Sequence, residues 1–266
     1  MAIVYNSNRI VLDKLVLHVD IANKKSYPGS GVTYFDMSGQ GYHGTFGDGA
    51  GSNAPTVDDT TFPGERHLLF AQSGTTGIEF PESNISKDPS LFLGETTGRL
   101  TYEAWVYSLG DGDSGTVLRI MSTDLSDYTG IIVREDGASS ANPGHNRFEF
   151  GINPNNSLVN TRFNIENDAD FFNKWFHVVG TYDGGTGARV LYINGVAETS
   201  GTTALTEATY GDDTARAFGI GTNVEDTARF NNGFFGYIDI CRIYGKALSA
   251  DEVLQNYNAQ RARFGL

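Results

Sequence analysis

Four acids stand in or beside strand-like stretches where chemistry could reside: Asp20, Glu103, Glu149 and Asp239. Glycoside hydrolysis needs two carboxylates flanking one bond, one to donate a proton and one to attack or to activate water. Neither Glu103 nor Glu149 has a second acid at i+2 or i+4, so each is expected to be an ordinary surface carboxylate. Nucleophilic catalysis finds no better footing, because the chain has no G-x-S-x-G elbow and no H-E-x-x-H helix. The five histidines, His18, His43, His67, His145 and His177, are scattered, and His177 is expected to be a packed strand residue. Cys241 is the single cysteine and lies in an apolar strand, which predicts a buried, inert thiol and excludes an internal disulfide.

Binding suits the remaining polar signals better. A sugar site combines an aromatic face with amide, carboxylate and guanidinium groups directed at hydroxyls. The candidates are Tyr128 after Asp127, Arg147 beside His145 and Asn146, and the set Asn223, Asp226, Arg229 and Asn231 just before the last strand. Asp20 and Asp239 form the candidate metal pair, with calcium the expected ion, against the alternative that each caps a turn. Asp111-Gly112-Asp113 begins like a calcium loop, but the match fails after two ligands. Gly39 to Gly44 fits the spacing of a dinucleotide fingerprint, yet no strand enters it and no helix leaves it, so a nucleotide site is rejected.

The elements that must position these groups are mostly strands. Phe234 to Tyr244 is an aromatic-rich strand mostly apolar on both faces, with Phe235, Tyr237, Asp239, Cys241 and Ile243 expected to share one side. It runs through Gly245-Lys246-Ala247 into a helix with Ser249 as N-cap, Glu252 as its reciprocal N3 partner, and Leu248 and Val253 as a hydrophobic staple. Strands are also expected at 10–21, 67–71, 76–80 and 100–107, with Trp105 anchoring the core. Trp175–Tyr182 and Ala188–Ile193 form a hairpin, and Asn194-Gly195 turns the chain back into a third antiparallel strand. Tyr34 to Phe46 reads as an ordered aromatic loop, and 47–63 as an exposed excursion.

Composition narrows the class. The chain has 266 residues, 33 of them glycine, and Tyr and Phe are abundant, which suits many strands joined by glycine turns. We read one domain over 10–266 preceded by a leader at 1–9, MAIVYNSNR, a candidate docking arm. A net charge of −13 makes nucleic acid an unsuitable partner, and Arg9, Asp13 and Lys14 interrupt the N-terminal apolar runs, so neither a signal-peptide core nor a membrane span is expected.

Leu15–Asp20, Asp36–Thr45, Tyr102–Val106, Trp175–Asp183, Leu191–Gly195 and Gly236–Tyr244 together resemble the laminin G-like, concanavalin A-like lectin/glucanase family over nearly the whole chain. The resemblance implies a mostly β, antiparallel two-sheet jelly-roll sandwich with a short C-terminal helix. The glucanases of this family carry two glutamates around the central aspartate of one strand. Here Tyr237 and Cys241 flank Asp239, so the likeness to hydrolases stops at the fold. Relatives that hold calcium do so through an aspartate of the last strand and backbone oxygens of the first, which singles out Asp239 and Asp20. The tail Leu248–Ala259, closing in Arg261–Leu266, resembles the ending of this domain in structural proteins of tailed bacteriophages. The expectation is therefore a non-enzymatic virion surface protein, assembled in the host cytoplasm with other virion proteins, able to form homotrimers and to bind glycans. A purely structural decoration protein and a glycan hydrolase are the alternatives.

Overall fold

The computed structural model describes residues 9–62, 64–71, 75–80, 98–110, 117–123, 129–135, 146–152, 159–165, 167–202, 218–224 and 233–266. In chain order its strands are β1 (Leu15–Asp20), β2 (Thr33–Tyr34), β3 (Gly44–Phe46), β4 (Thr56–Asp58), β5 (His67–Phe70), β6 (Ile78–Phe80), β7 (Arg99–Ser108) and β8 (Val117–Ser122). They continue as β9 (Gly130–Glu135), β10 (Asn146–Ile152), β11 (Val159–Ile165), β12 (Trp175–Asp183), β13 (Ala188–Ile193), β14 (Val196–Thr202), β15 (Phe218–Ile220) and β16 (Gly236–Tyr244). A short helix α1 (Asp168–Phe171) precedes β12, and α2 (Ala250–Gln260) runs into a 3-10 turn at Arg261–Phe264.

These strands make two antiparallel sheets. The first runs β14-β13-β12-β7-β16-β5-β4, with β1 also paired to β16, and the second runs β11-β10-β9-β8-β15-β6-β3-β2. The expected two-sheet sandwich is what forms. Between the sheets lies one continuous core in which Leu17, Phe70, Tyr102, Val106, Ile120, Phe148, Phe150, Leu191, Phe218 and Ile243 are buried. The inward parity of these side chains pins the register, since a slip of one residue would turn each of them to the outer face of its sheet. The sheets approach closely enough that a Cβ on Gly180 would sit 2.2 Å from the Phe150 ring.

Local signals are realised as read. Asn194 (φ 50°) and Gly195 (φ 80°) supply the left-handed pair that a tight hairpin demands. Ser249 accepts from the Glu252 amide while Glu252 reaches back to the Ser249 amide, and Leu248 packs with Val253. The aromatic loop after β2 is ordered by Asp36, which accepts from the amides of His18, Ser38, Gly41 and Tyr42.

The last strand departs from simple alternation. A bulge shifts its register against β7 between Ile238 and Cys241, so Asp239 and Ile240 together occupy the place opposite Trp105. Tyr237 and Cys241 consequently lie on different faces, where strict alternation puts them on the same one: Cys241 joins the inter-sheet core and Tyr237 an aromatic cluster outside it. Trp105 also sits in that outer cluster, stacked on Phe264 at 4.1 Å, so it anchors the helix-covered face and not the core between the sheets.

Candidate functional site

Glu103 and Glu149 are both fully buried, not surface carboxylates. Each lies on the outer face of a sheet, and each is held by arginine, in contrasting surroundings.

On the first sheet, the Glu103 carboxylate lies 2.5 Å from Arg242 Nη1 and 3.0 Å from His177 Nε2, and accepts from the Asn256 amide of α2 at 2.7 Å. Asn256 also donates to the Tyr244 hydroxyl and accepts from the Val11 amide. Burial alone would raise the Glu103 pKa, but the Arg242 charge and the bonds from His177 and Asn256 outweigh it and bring it down to about 2. His18, in register with Arg242, is pushed to about 3 by burial and by that same positive charge. Glu103, Arg242 and His177 are all out of contact with solvent beneath α2 and the 3-10 turn, so this network fastens the helix and offers no site.

Asp20 and Asp239 do come together. Arg263, from the 3-10 turn, donates to Asp20 at 2.8 Å and to Asp239 at 3.3 Å. Asp239 also lies 2.5 Å from His67 Nδ1 and accepts from the Leu68 amide, while Asp20 accepts from the Ala22 amide. Burial raises the Asp239 pKa against the opposing pull of His67 and Arg263. Calcium takes about six to eight oxygen ligands. Here the oxygens face hydrogen-bond donors and a guanidinium, a donor set that does not fit that ion. Among the described residues no group of three or more His, Cys, Asp and Glu side chains is placed to hold a metal.

The outer face of the second sheet is different. Arg119, Ile132, Glu149 and Arg162 stand in one row across β8, β9, β10 and β11. Glu149 is contacted by Arg147 Nε at 2.5 Å, by Arg162 Nε at 3.3 Å, and by the Asn160 amide at 2.9 Å. The Arg162 side chain is 54% exposed and that of Arg147 16%, so the guanidiniums reach from a buried carboxylate toward solvent. Beyond Asn160 and Arg162 the face drops into a groove of about 390 Å3, where β11 meets β14 and Thr161, Thr199, Ser200 and Gly201 complete the lining. Thr199 ties the two strands by donating to the Arg162 carbonyl at 2.7 Å.

Of the glycan-binding candidates, Arg147 is on this face. Asn223 follows β15 and is fully buried, so its amide is not offered to solvent. Tyr128, Asp226, Arg229 and Asn231 lie outside the described residues. Sequence reasoning did not single out Glu149 as an organiser of arginines, although Arg147 and Glu149 share one face of β10 at a spacing of two, which is the signal that was available.

Comparison with known proteins agrees with this architecture. Residues 71–254 match the laminin G-type model described as the concanavalin A-like lectin/glucanases superfamily, and the chain belongs to that family. Among solved structures it is similar to domain 4 of AbnA, a GH43 extracellular arabinanase from Geobacillus stearothermophilus, solved in complex with arabinotriose. That match has a TM-score of 0.55 and 20% identity, covering 92% of this chain and 98% of that one. It is also similar to the binding domain of botulinum neurotoxin serotype D (TM-score 0.59, 18% identity, 94% of this chain and 53% of that one) and to that of serotype G (TM-score 0.59, 18% identity, 92% and 51%). The chain thus spans about half the length of the toxin domains. At these identities the likeness is one of fold. No curated protein sequence matches the chain.

Proposed function

We propose that this protein is a non-catalytic glycan-binding module that displays the outer face of its second sheet on the surface of a phage particle. The observation that carries the reading is the row of arginines around Glu149: polar, ordered by a buried carboxylate, and partly open to solvent, whereas the opposite outer face is sealed by α2. Guanidinium groups bound on one side to a carboxylate keep their remaining N–H groups fixed in direction, which is what recognition of sugar hydroxyls requires. Support from relatives is of the same kind, since the arabinanase domain was solved with an arabinotriose. A binding role also suits Glu149, whose oxygens already accept from Arg147, Arg162 and Asn160 and are poorly placed to serve as a general acid. The virion setting, with other virion proteins as neighbours, is supported by the resemblance of the α2 tail to structural proteins of tailed phages.

A glycan array probed with the purified protein and with Arg147→Ala tests the reading. Saturable binding lost in the variant is the expected result; a blank array, or equal binding by both proteins, overturns it. Reducing-sugar release from the bound glycans would instead establish a hydrolase.

A further inference from the structure

Inward-facing positions of a sandwich are expected to be apolar, and beside the β11/β14 edge Arg189 of β13 is not. Arg189 has the same parity on β13 as Leu191 and Ile193, which are in the core, and it pairs with Gly201 of β14 and with Tyr182 of β12. Its side chain therefore runs between the sheets toward the edge, and the residue is only 5% exposed. There Nε reaches Thr161 Oγ1 at 3.3 Å, while Nη1 is buried with no hydrogen-bond partner among the described residues. No carboxylate among the described residues pairs with it, and burial accordingly lowers its pKa, opposed only by the Tyr182 hydroxyl. A buried guanidinium in this condition is costly, and proteins retain such groups where something else completes them.

The groove above supplies the room. Thr161 and Gly201, the two residues against which the Arg189 head lies, are both in its lining, and a Cβ on Gly201 would stand 2.8 Å from Arg189 Nη2. Glycine at 201 is thus what leaves space beside the charge. Arg162 stands on the outer side, and Thr161, Thr199, Ser200 and Asn160 add hydroxyl and amide groups. Among the described residues no acidic side chain is in the lining.

We propose that this groove is an oxyanion subsite that takes the carboxylate or sulfate of an acidic sugar, with Arg189 as the buried anchor and Arg162 as the exposed one. Planar guanidinium forks match such oxyanions in a way that neutral sugars cannot exploit. The sugar part rests on the glycan-binding reading above; the anion part stands on Arg189 alone.

The test is an NMR titration of the 15N-labelled full chain with sodium glucuronate, glucose 6-sulfate and glucose at constant ionic strength. Saturable shifts at the amides of Thr161, Thr199, Ser200 and Gly201 are expected with one or both anions and not with glucose, and the stronger of the two identifies the source. Arg189→Met should weaken the anion by about ten-fold or more while the protein stays folded, since the residue is buried and methionine fills similar space. Gly201→Ala, which fills the floor and leaves Arg189 present, should weaken it as well. Equal shifts with glucose, no shifts with any probe, or Arg189→Met binding within about two-fold of the parent would overturn the proposal. Groove shifts beside a blank glycan array would sink the glycan reading alone, and array binding beside a silent groove would sink the subsite alone.

Discussion

Both outer faces of the sandwich bury a glutamate against arginine, and the two glutamates have opposite fates. Glu103 is enclosed with Arg242, His177 and Asn256 beneath α2, and the Phe264 ring stacks on Trp105 beside it. Glu149 carries guanidiniums that continue outward, one of them half in water. The same pair of residue types therefore fastens a helix in one place and organises a surface in the other. What decides between them is whether the partner's far side meets protein or solvent.

The sharpest way to break this comparison is to remove each carboxylate. Glu103→Ala strands Arg242 in the interior and is expected to cost about 3–5 kcal/mol in urea denaturation. Glu149→Gln, which keeps the shape but turns one accepting oxygen into an amide donor, should cost about 1–2 kcal/mol while abolishing glycan binding. Equal losses would erase the distinction between the faces.

Acid separates them next. The folded pKa of Glu103 is depressed from 4.5 to about 2, so its contribution is fully present above pH 4.5 and is lost as pH falls toward 2, worth about 3 kcal/mol over that window. His18, also depressed in the fold, works in the same direction and begins to tell below its ordinary value of 6.5. Melting temperature against pH should therefore fall steeply on the acid side, and Glu103→Gln should flatten that limb. An unchanged limb in the variant would show that other carboxylates govern it.

Arg263 sharpens the comparison from the sealed side. Arg263→Ala leaves Asp239 buried without its guanidinium and is expected to lower stability by about 2–3 kcal/mol, whereas calcium or a chelator should not move the melting temperature of the parent protein. A calcium-dependent melting temperature would place a metal where we place the guanidinium. Smallest of all is Arg147→Ala, expected to cost about 1 kcal/mol because Arg162 and Asn160 still hold the buried Glu149 carboxylate, even as it removes glycan binding.

What could be read beforehand followed from distance along the chain. Asn194-Gly195, the Ser249/Glu252 capping box and the alternation of β12 and β13 are decided by neighbours within a few residues, and all were legible. Glu103 was misjudged because its partners, Arg242 and Asn256, lie 139 and 153 residues away, and nothing near it signals burial beyond the apolar Trp105 and Tyr107 on the same face. The bulge at Asp239 and Ile240 is a pairing event with β7 and leaves no mark in its own strand's pattern. Arg189 could have been found, since it breaks the inward parity set by Leu191 and Ile193.

Where the chain enters and leaves the sandwich carries a mechanical consequence. The Val11 amide donates to Asn256, the Gln255 amide group donates to the Arg9 carbonyl, and β1 lies antiparallel beside β16. Tension applied through the segment before β1 and through α2 would thus be delivered at adjacent points and would peel α2 from Arg9 and Val11 before any force crossed the two sheets. The sandwich would hang beside the line of pull as a pendant, with its arginine-bearing face undeformed until the helix had let go.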